Sequence, residues 1–240
     1  MKRVAADQAS ERLVAIVGLL IGVLVTTTWV TFGDMVVAEP PPAAVAGANE
    51  VRPSGRVERL AARATLSVVS RGCSGELVGS GVVTRGGLLV TAAHVVGGSR
   101  SVTVSNGEER AEASPMLEAL EVDVASGPVP RGWEAVSRAG ADPEVGTPVV
   151  LASRARGLLR VRGARVDAYL RGTGPDDPPL AMRLDVAVSP GESGGPVLDA
   201  TDGRLLGVVY ASEHVSGLAL VIPATQLNAA LGGDATAGTC

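Results

Sequence analysis

The chain has 240 residues, 46% of them hydrophobic but only 2% aromatic, with 31 Gly, 15 Pro, two Cys, two His and a formal net charge of −4. That length holds one sizeable domain with an appendage. The acidic balance excludes a nucleic-acid-binding footprint, and the 19% of charged residues are too few for a solvated, disordered chain. Cys73, His94, His214 and Cys240 show no ligand-like spacing, so no metal site and no other cofactor is expected.

Residues 1–12 carry Lys2, Arg3 and Arg12 and read as a cytoplasmic N-terminus. The 20 residues from Leu13 to Phe32 hold no charge, and at a rise of about 1.5 Å per residue they span the roughly 30 Å hydrocarbon core. One transmembrane helix over 13–32 is expected, with everything after Phe32 outside the cell membrane, because the basic residues precede the run while Asp34 and Glu39 follow it. A cleaved signal peptide is the alternative, since Val36-Val37-Ala38 offers the small residues a signal peptidase requires; the apolar run is longer than the roughly 7–15 residues such a segment needs. Gly18 and Gly22 form a GxxxG through which a homo-oligomer could pair in the membrane, and Trp29 sits near the outer end.

Residues 33–55, with Glu39-Pro40-Pro41-Pro42 and a second Pro-Gly cluster from Pro53 to Gly55, lack apolar periodicity and read as a linker. The domain is placed at 56–232 and a tail at 233–240. A short helix is predicted over Arg56 to Arg63, with Val57, Leu60 and Ala61 on one side. Strand-like runs follow at Thr65 to Ser70, Leu77 to Thr84, Leu88 to Thr91, Ser101 to Ser105, Arg110 to Leu117, Pro148 to Ala152, Leu158 to Leu170, Leu180 to Val188, Pro196 to Leu198, Leu205 to Tyr210 and Leu218 to Ile222. Many short strands without a long helix between them predict an all-β sandwich or barrel. Ala224 to Leu231 closes the domain as a helix stopped by Gly232-Gly233.

Gly191-Glu192-Ser193-Gly194-Gly195-Pro196 puts a serine in a Gly-rich turn between two strand runs. Small neighbours let a substrate backbone approach Ser193, and the N–H groups of Gly191 and Ser193 can point together at a developing oxyanion. Taken alone, such a cluster is usually only a hairpin turn. Upstream, Thr91-Ala92-Ala93-His94-Val95-Val96 sets a histidine directly after a strand, and Glu121-Val122-Asp123-Val124-Ala125 sets an acid among apolar residues, where an unpaired carboxylate is costly. The order His94, Asp123, Ser193 is that of chymotrypsin-type triads.

TAAHVV, VDVA, SPGESGGPV and the following GRLLGVVY resemble the chymotrypsin-like (trypsin-fold) serine peptidases, especially the bacterial HtrA-like branch, from about Thr65 to Leu231. Within it the chain is similar to membrane-anchored proteases of mycobacteria and other actinobacteria. Like them it has a cysteine before the GSGVV strand (Cys73), a Gly174-Pro175-Asp176 loop before the serine-bearing strand and a last cysteine in a Gly-Thr-rich C-terminus (Cys240). With nine residues after Leu231 in this sequence, no PDZ domain is expected in it.

The resemblance implies two packed six-stranded antiparallel β-barrels, a short C-terminal helix and a cleft between the barrels. It implies a serine endopeptidase of protein or peptide substrates, acting in envelope processing or stress response. His94 is the general base, Asp123 its orienting carboxylate, Ser193 the nucleophile, and the Gly191 and Ser193 N–H groups the oxyanion hole. The base of the substrate pocket, six residues before the nucleophile in this fold, is Ala187. Val188, Val209, Tyr210, Ala211, Ser212 and Gly217 are its expected walls, suited to small or medium apolar side chains. Likeness to the actinobacterial proteases, the even cysteine count and an oxidising compartment imply a Cys73–Cys240 disulfide. The residue before Ser193, usually Asp or Asn in this family, is Glu192. That difference is the one hint of the alternative, a catalytically silent protease fold serving as a tethered binding module. His214 is expected to be an exposed loop residue.

Overall fold

Residues Gly55–Ala64 form helix α1, capped by Ser54, whose hydroxyl accepts the Val57 N–H at 3.3 Å. Its Val57, Ala61 and Ala64 share one buried face. The computed structural model describes residues 51, 54–72, 75–113, 116–171, 180–233 and 236–237. The chain divides into the units Met1–Gly47 and Ala48–Cys240. The expected membrane span, the 172–179 loop, Cys73 and Cys240 lie outside the described residues. Among the described residues no helix is long and apolar enough to cross a membrane.

After α1 come β1 (Thr65–Gly72), β2 (Gly75–Thr84), β3 (Leu88–Ala92), the four-residue helix α2 (Ala93–Val96), β4 (Ser99–Ser105), β5 (Arg110–Glu112), β6 (Leu117–Ala119), a 3₁₀ turn (Leu120–Val122) and β7 (Val124–Pro128). Then follow β8 (Pro148–Ala155), β9 (Leu158–Arg171), β10 (Leu180–Ala187), β11 (Pro196–Asp199), β12 (Leu205–Ser212), β13 (Leu218–Pro223), α3 (Ala224–Gly232) and the two-residue β14 (Thr236–Ala237). One sheet has the order β14-β6-β7-β3-β2-β1-β4-β5, and the other closes as the six-stranded barrel β10-β13-β12-β11-β8-β9. The fold class is the expected one, two barrel-like antiparallel sheets with a C-terminal helix; the first sheet reaches eight strands through the short β5, β6 and β14.

Both faces of the central strands are buried, which is why they read as nearly continuous apolar runs. Alternate residues serve different clusters. Leu89 and Val83 face the interior of the first sheet, while Val197, Val149, Leu151 and Val209 fill the closed barrel. Their neighbours Val90, Val82, Leu198, Val150, Ala152 and Val208 meet between the two sheets, together with Val57, Ala61 and Ala64 of α1 and Leu227 of α3.

Two elements differ from the sequence expectation. The run from Arg110 to Leu117 is divided into β5 and β6; it contains Pro115, which has no N–H to give a ladder. Val124–Pro128 is a strand although Ser126, Gly127 and Pro128 disfavour one, because pairing with β3 on one side and β6 on the other overrides local preference.

Glu118 of β6 is buried, its Oε1 has no partner among the described residues, and desolvation raises its pKa above the ordinary carboxylate value. A carboxyl whose folded pKa is raised weakens the fold where it is ionised, above that pKa, and not below its unfolded value, where it is protonated in both states. Glu118→Gln is therefore expected to raise the melting temperature by a few degrees at pH 8, from roughly 1 kcal/mol of relieved burial. The gain should fade towards pH 4. A melting series across that range checks it, and an equal gain at both ends would contradict the charge argument.

Candidate active site

His94 stands just beyond the end of β3, because the strand ends at Ala92 and the chain turns at once into α2. Asp123 meets it from the corner between the 3₁₀ turn and β7, in the left-handed conformation (φ 51°). Its backbone there is fixed on both sides: the Asp123 N–H donates to Leu120 O at 3.1 Å and its carbonyl accepts the Ala93 N–H at 2.9 Å. The carboxylate takes two bonds from His94, the backbone N–H to Oδ1 at 2.8 Å and the ring Nδ1 to Oδ2 at 2.6 Å. A carboxylate only accepts, so Nδ1 carries the proton and Nε2 of the neutral ring keeps its lone pair. Asp123 is 18% exposed and the His94 ring 50% exposed, so the imidazole opens to solvent while the carboxylate is shielded.

Ser193 lies beyond a tight turn, Ser189-Pro190-Gly191-Glu192. Proline at the second position, Gly191 at the third with φ 92° and the Glu192 N–H donating to Ser189 O at 3.1 Å make it a type II turn. Gly191 is required by that positive φ. Gly194, at φ 82°, is required as well, since a Cβ there would collide with Ser80 O and Thr91 Oγ1. Neither the Gly191 N–H nor the Ser193 N–H is engaged in a hydrogen bond among the described residues.

The two sheets are joined at this turn by Ser80 of β2, which is wholly buried. Its N–H donates to Ser193 O at 2.7 Å, and its hydroxyl donates to Gly191 O at 3.0 Å while accepting the Arg154 N–H at 2.9 Å. Thr91 of β3 donates to Ser80 O at 2.7 Å. A Cβ on the preceding Gly79 would press on Val95, the neighbour of His94, and on the Ser193 carbonyl at 3.0 Å. His94 and Ser193 are thus brought to the two sides of one glycine. No hydrogen bond joins Ser193 Oγ to the His94 ring among the described residues.

Glu192, 1% exposed, is the most heavily bonded group of the turn. Its Oε1 and Oε2 accept Arg162 Nη2 at 2.8 and 2.9 Å, Oε1 accepts the Ser153 hydroxyl at 2.8 Å, and Oε2 accepts the Ser189 N–H at 2.8 Å. Arg162 Nη1 donates to Ala187 O at 2.6 Å. One guanidinium therefore ties the serine turn to the expected pocket base. Sequence reasoning found no partner for Glu192 and missed Arg162, Ser153 and Ser80; an arginine in an alternating strand carries no signal of its own.

The residues expected to form the pocket lie at or next to the ends of three strands. Between Arg183 and Ala187 the β10–β13 register slips, so four steps along β10 match two along β13 and the strands part. The Val188 N–H recloses the gap onto Gly217 O at 3.1 Å. Val188 packs on the closed barrel's core beside Val209, Tyr210 packs instead against the cluster between the sheets, Ala211 is half-buried, and Ala187 and Ser212 are exposed. His214 is exposed in the β12–β13 loop, as expected. Among the described residues no three His, Cys, Asp or Glu side chains gather as metal ligands.

Comparison with protein families matches residues 79–208, more than half of the chain, to the trypsin-like peptidase domain. The chain belongs to this family. Among trypsin-like peptidases it is 35% identical over 149 residues to serine protease Rv3671c of Mycobacterium tuberculosis, covering 58% of this chain and 37% of that one. It thus spans just over a third of the length of the curated relatives it matches. The crystal structure of the active form of Rv3671c protease superposes with a TM-score of 0.68 at 28% identity, over 79% of this chain and 91% of that one. The inactive form of its Ser343Ala mutant gives 0.64 at 26% identity, over 76% and 94%. The HtrA-type protease AlgW with tripeptide, 22% identical over 75% of this chain and 64% of that one, shares the fold with a TM-score of 0.64.

Proposed function

We propose that this trypsin-like chain is a serine endopeptidase that hydrolyses peptide bonds through an acyl-enzyme on Ser193. The observation that carries the reading is the His94–Asp123 pair, held by two bonds, together with a serine turn that Ser80 ties to the first sheet and whose Gly191 and Ser193 N–H groups are unbonded among the described residues. His94 Nε2 takes the proton of Ser193 Oγ as the oxygen attacks the peptide carbonyl. The Gly191 and Ser193 N–H groups receive the negative oxygen of the tetrahedral intermediate. The imidazolium, stabilised by Asp123, then gives its proton to the departing amine, and a water activated by the same nitrogen cleaves the ester. A fluorophosphonate probe applied to the full chain tests this: stoichiometric labelling of Ser193 supports it. Labelling that is absent, or that persists in Ser193→Ala, would leave a silent protease-fold binding module.

Residues 13–32 tether the enzyme with its domain outside the cytoplasm in this reading, and release of the chain from membranes by carbonate would contradict the tether. The pocket accepts small or medium apolar side chains. It has no acid at Ala187, and the expected walls Val188 and Val209 belong to the apolar core of the closed barrel, so a buried Arg or Lys of the substrate would go unpaired. A peptide library is expected to show cleavage after residues such as Ala or Val at least tenfold faster than after Arg. Strict cleavage after Arg or Lys would overturn the pocket assignment.

A further inference from the structure

Helix α1, the turn between β2 and β3, residues 134–137 and the turn between β11 and β12 border an open groove of about 570 Å³. Arg56, Arg59 and Arg63 of α1, Arg85 and Arg204 line it, against two carboxylates, Glu134 and Asp202. The three helix arginines stand at i, i+3 and i+7, one stripe along α1, while Val57, Ala61 and Ala64 are buried on another face. Asp202 pairs with Arg204 at 3.3 Å. The other four arginines have no acidic partner within ion-pair distance among the described residues.

A chain with a formal charge of −4 thus gathers a local excess of positive charge in one concavity. Like charges closer than a Debye length of roughly 8 Å repel, and an anion in the cleft would reverse the sign of that interaction. The guanidinium fork matches phosphate oxygens two at a time. These arginines are exposed and hydrated, and because they arrive from three separate elements a ligand that engages several of them at once needs several negative groups; the volume lies in the range of small-molecule sites. We propose that this cleft binds a ligand carrying two or more phosphate groups, supplied by a soluble oligophosphate or by an anionic phospholipid headgroup.

The cleft and the serine site lie at opposite ends of the same strands. Arg85 precedes β3 and His94 follows it; Ser193 precedes β11 and Asp202 follows it. Binding can therefore be read separately from peptide chemistry.

The test uses the full chain in neutral detergent at constant ionic strength. Its melting temperature is followed against sodium tripolyphosphate and, separately, against short-chain cardiolipin, with short-chain phosphatidylcholine as the zwitterionic control. A rise in melting temperature with tripolyphosphate alone supports a soluble ligand, and a rise with cardiolipin alone supports a lipid. The double variant Arg59→Gln/Arg63→Gln keeps good helix formers in α1. It is expected to weaken the response at least tenfold in ligand concentration while serine-probe labelling stays unchanged. No response to either ligand, or an equal response in the double variant, would overturn the site.

Discussion

Replacing Ser193 by alanine is expected to lower hydrolysis of casein by the full chain roughly 10⁴- to 10⁶-fold, with little change in melting temperature. The hydroxyl is the only group lost, and the backbone bonds that hold the turn, Ser80 to the Ser193 carbonyl and the Glu192 N–H to Ser189, remain. His94→Ala should cost about as much, and the double variant little more than either single one, because nucleophile and base act as a unit. Asp123→Asn is expected to lose roughly 10⁴-fold by a different route. Its amide can present an N–H where Oδ2 now accepts from Nδ1, so the ring is driven to the tautomer whose Nε2 carries the proton and cannot act as a base. Near wild-type turnover in Ser193→Ala would end the assignment.

Arg162→Met is expected to damage stability and activity together. It leaves the Glu192 carboxylate, 1% exposed, with only the Ser153 hydroxyl and the Ser189 N–H as partners, and stranding a buried charge typically costs about 3–5 kcal/mol. The lower end applies here, because the Arg162 side chain is 31% exposed and the pair is not fully sealed from solvent. Loss of the guanidinium also frees the Ala187 carbonyl, so the serine turn and the pocket base loosen together. The double variant Arg162→Met/Glu192→Gln separates the two effects. With the charge removed on both sides, most of the stability should return, as it does when a buried pair is replaced whole. Activity should stay low, because the bidentate anchor of the turn is still missing. Full recovery of activity in the double variant would show that the pair serves stability alone.

Much of this site was legible in the residues because its parts are local. Ser189-Pro190-Gly191-Glu192 writes its own type II turn, since proline fixes the second φ and only glycine sits easily at the third. His94 follows a run of strand-forming residues that ends where the chain needs to turn, and Asp123 stands among apolar neighbours that draw it inward. The helix over Arg56 to Arg63 and most of the strand runs agree with the observed elements to within a few residues, because central strands buried on both faces write short continuous apolar runs broken by turn residues. The exceptions are informative. β7 exists because β3 and β6 flank it, a cause that no window of its own sequence contains.

The sequence by itself determined the succession of strands, the backbone geometry of the serine turn and the chain order His94, Asp123, Ser193. The tertiary structure alone decided who answers the buried groups. Arg162 is 30 residues from Glu192, and Ser80 is 111 residues from the Gly191 carbonyl it holds. The arginine cleft likewise joins a helix, a turn of the first sheet and a turn of the closed barrel. Turn geometry and strand period act between neighbours along the chain and leave a pattern there. The partner of a buried carboxylate is set by which strands pack across it, and that choice is made through space.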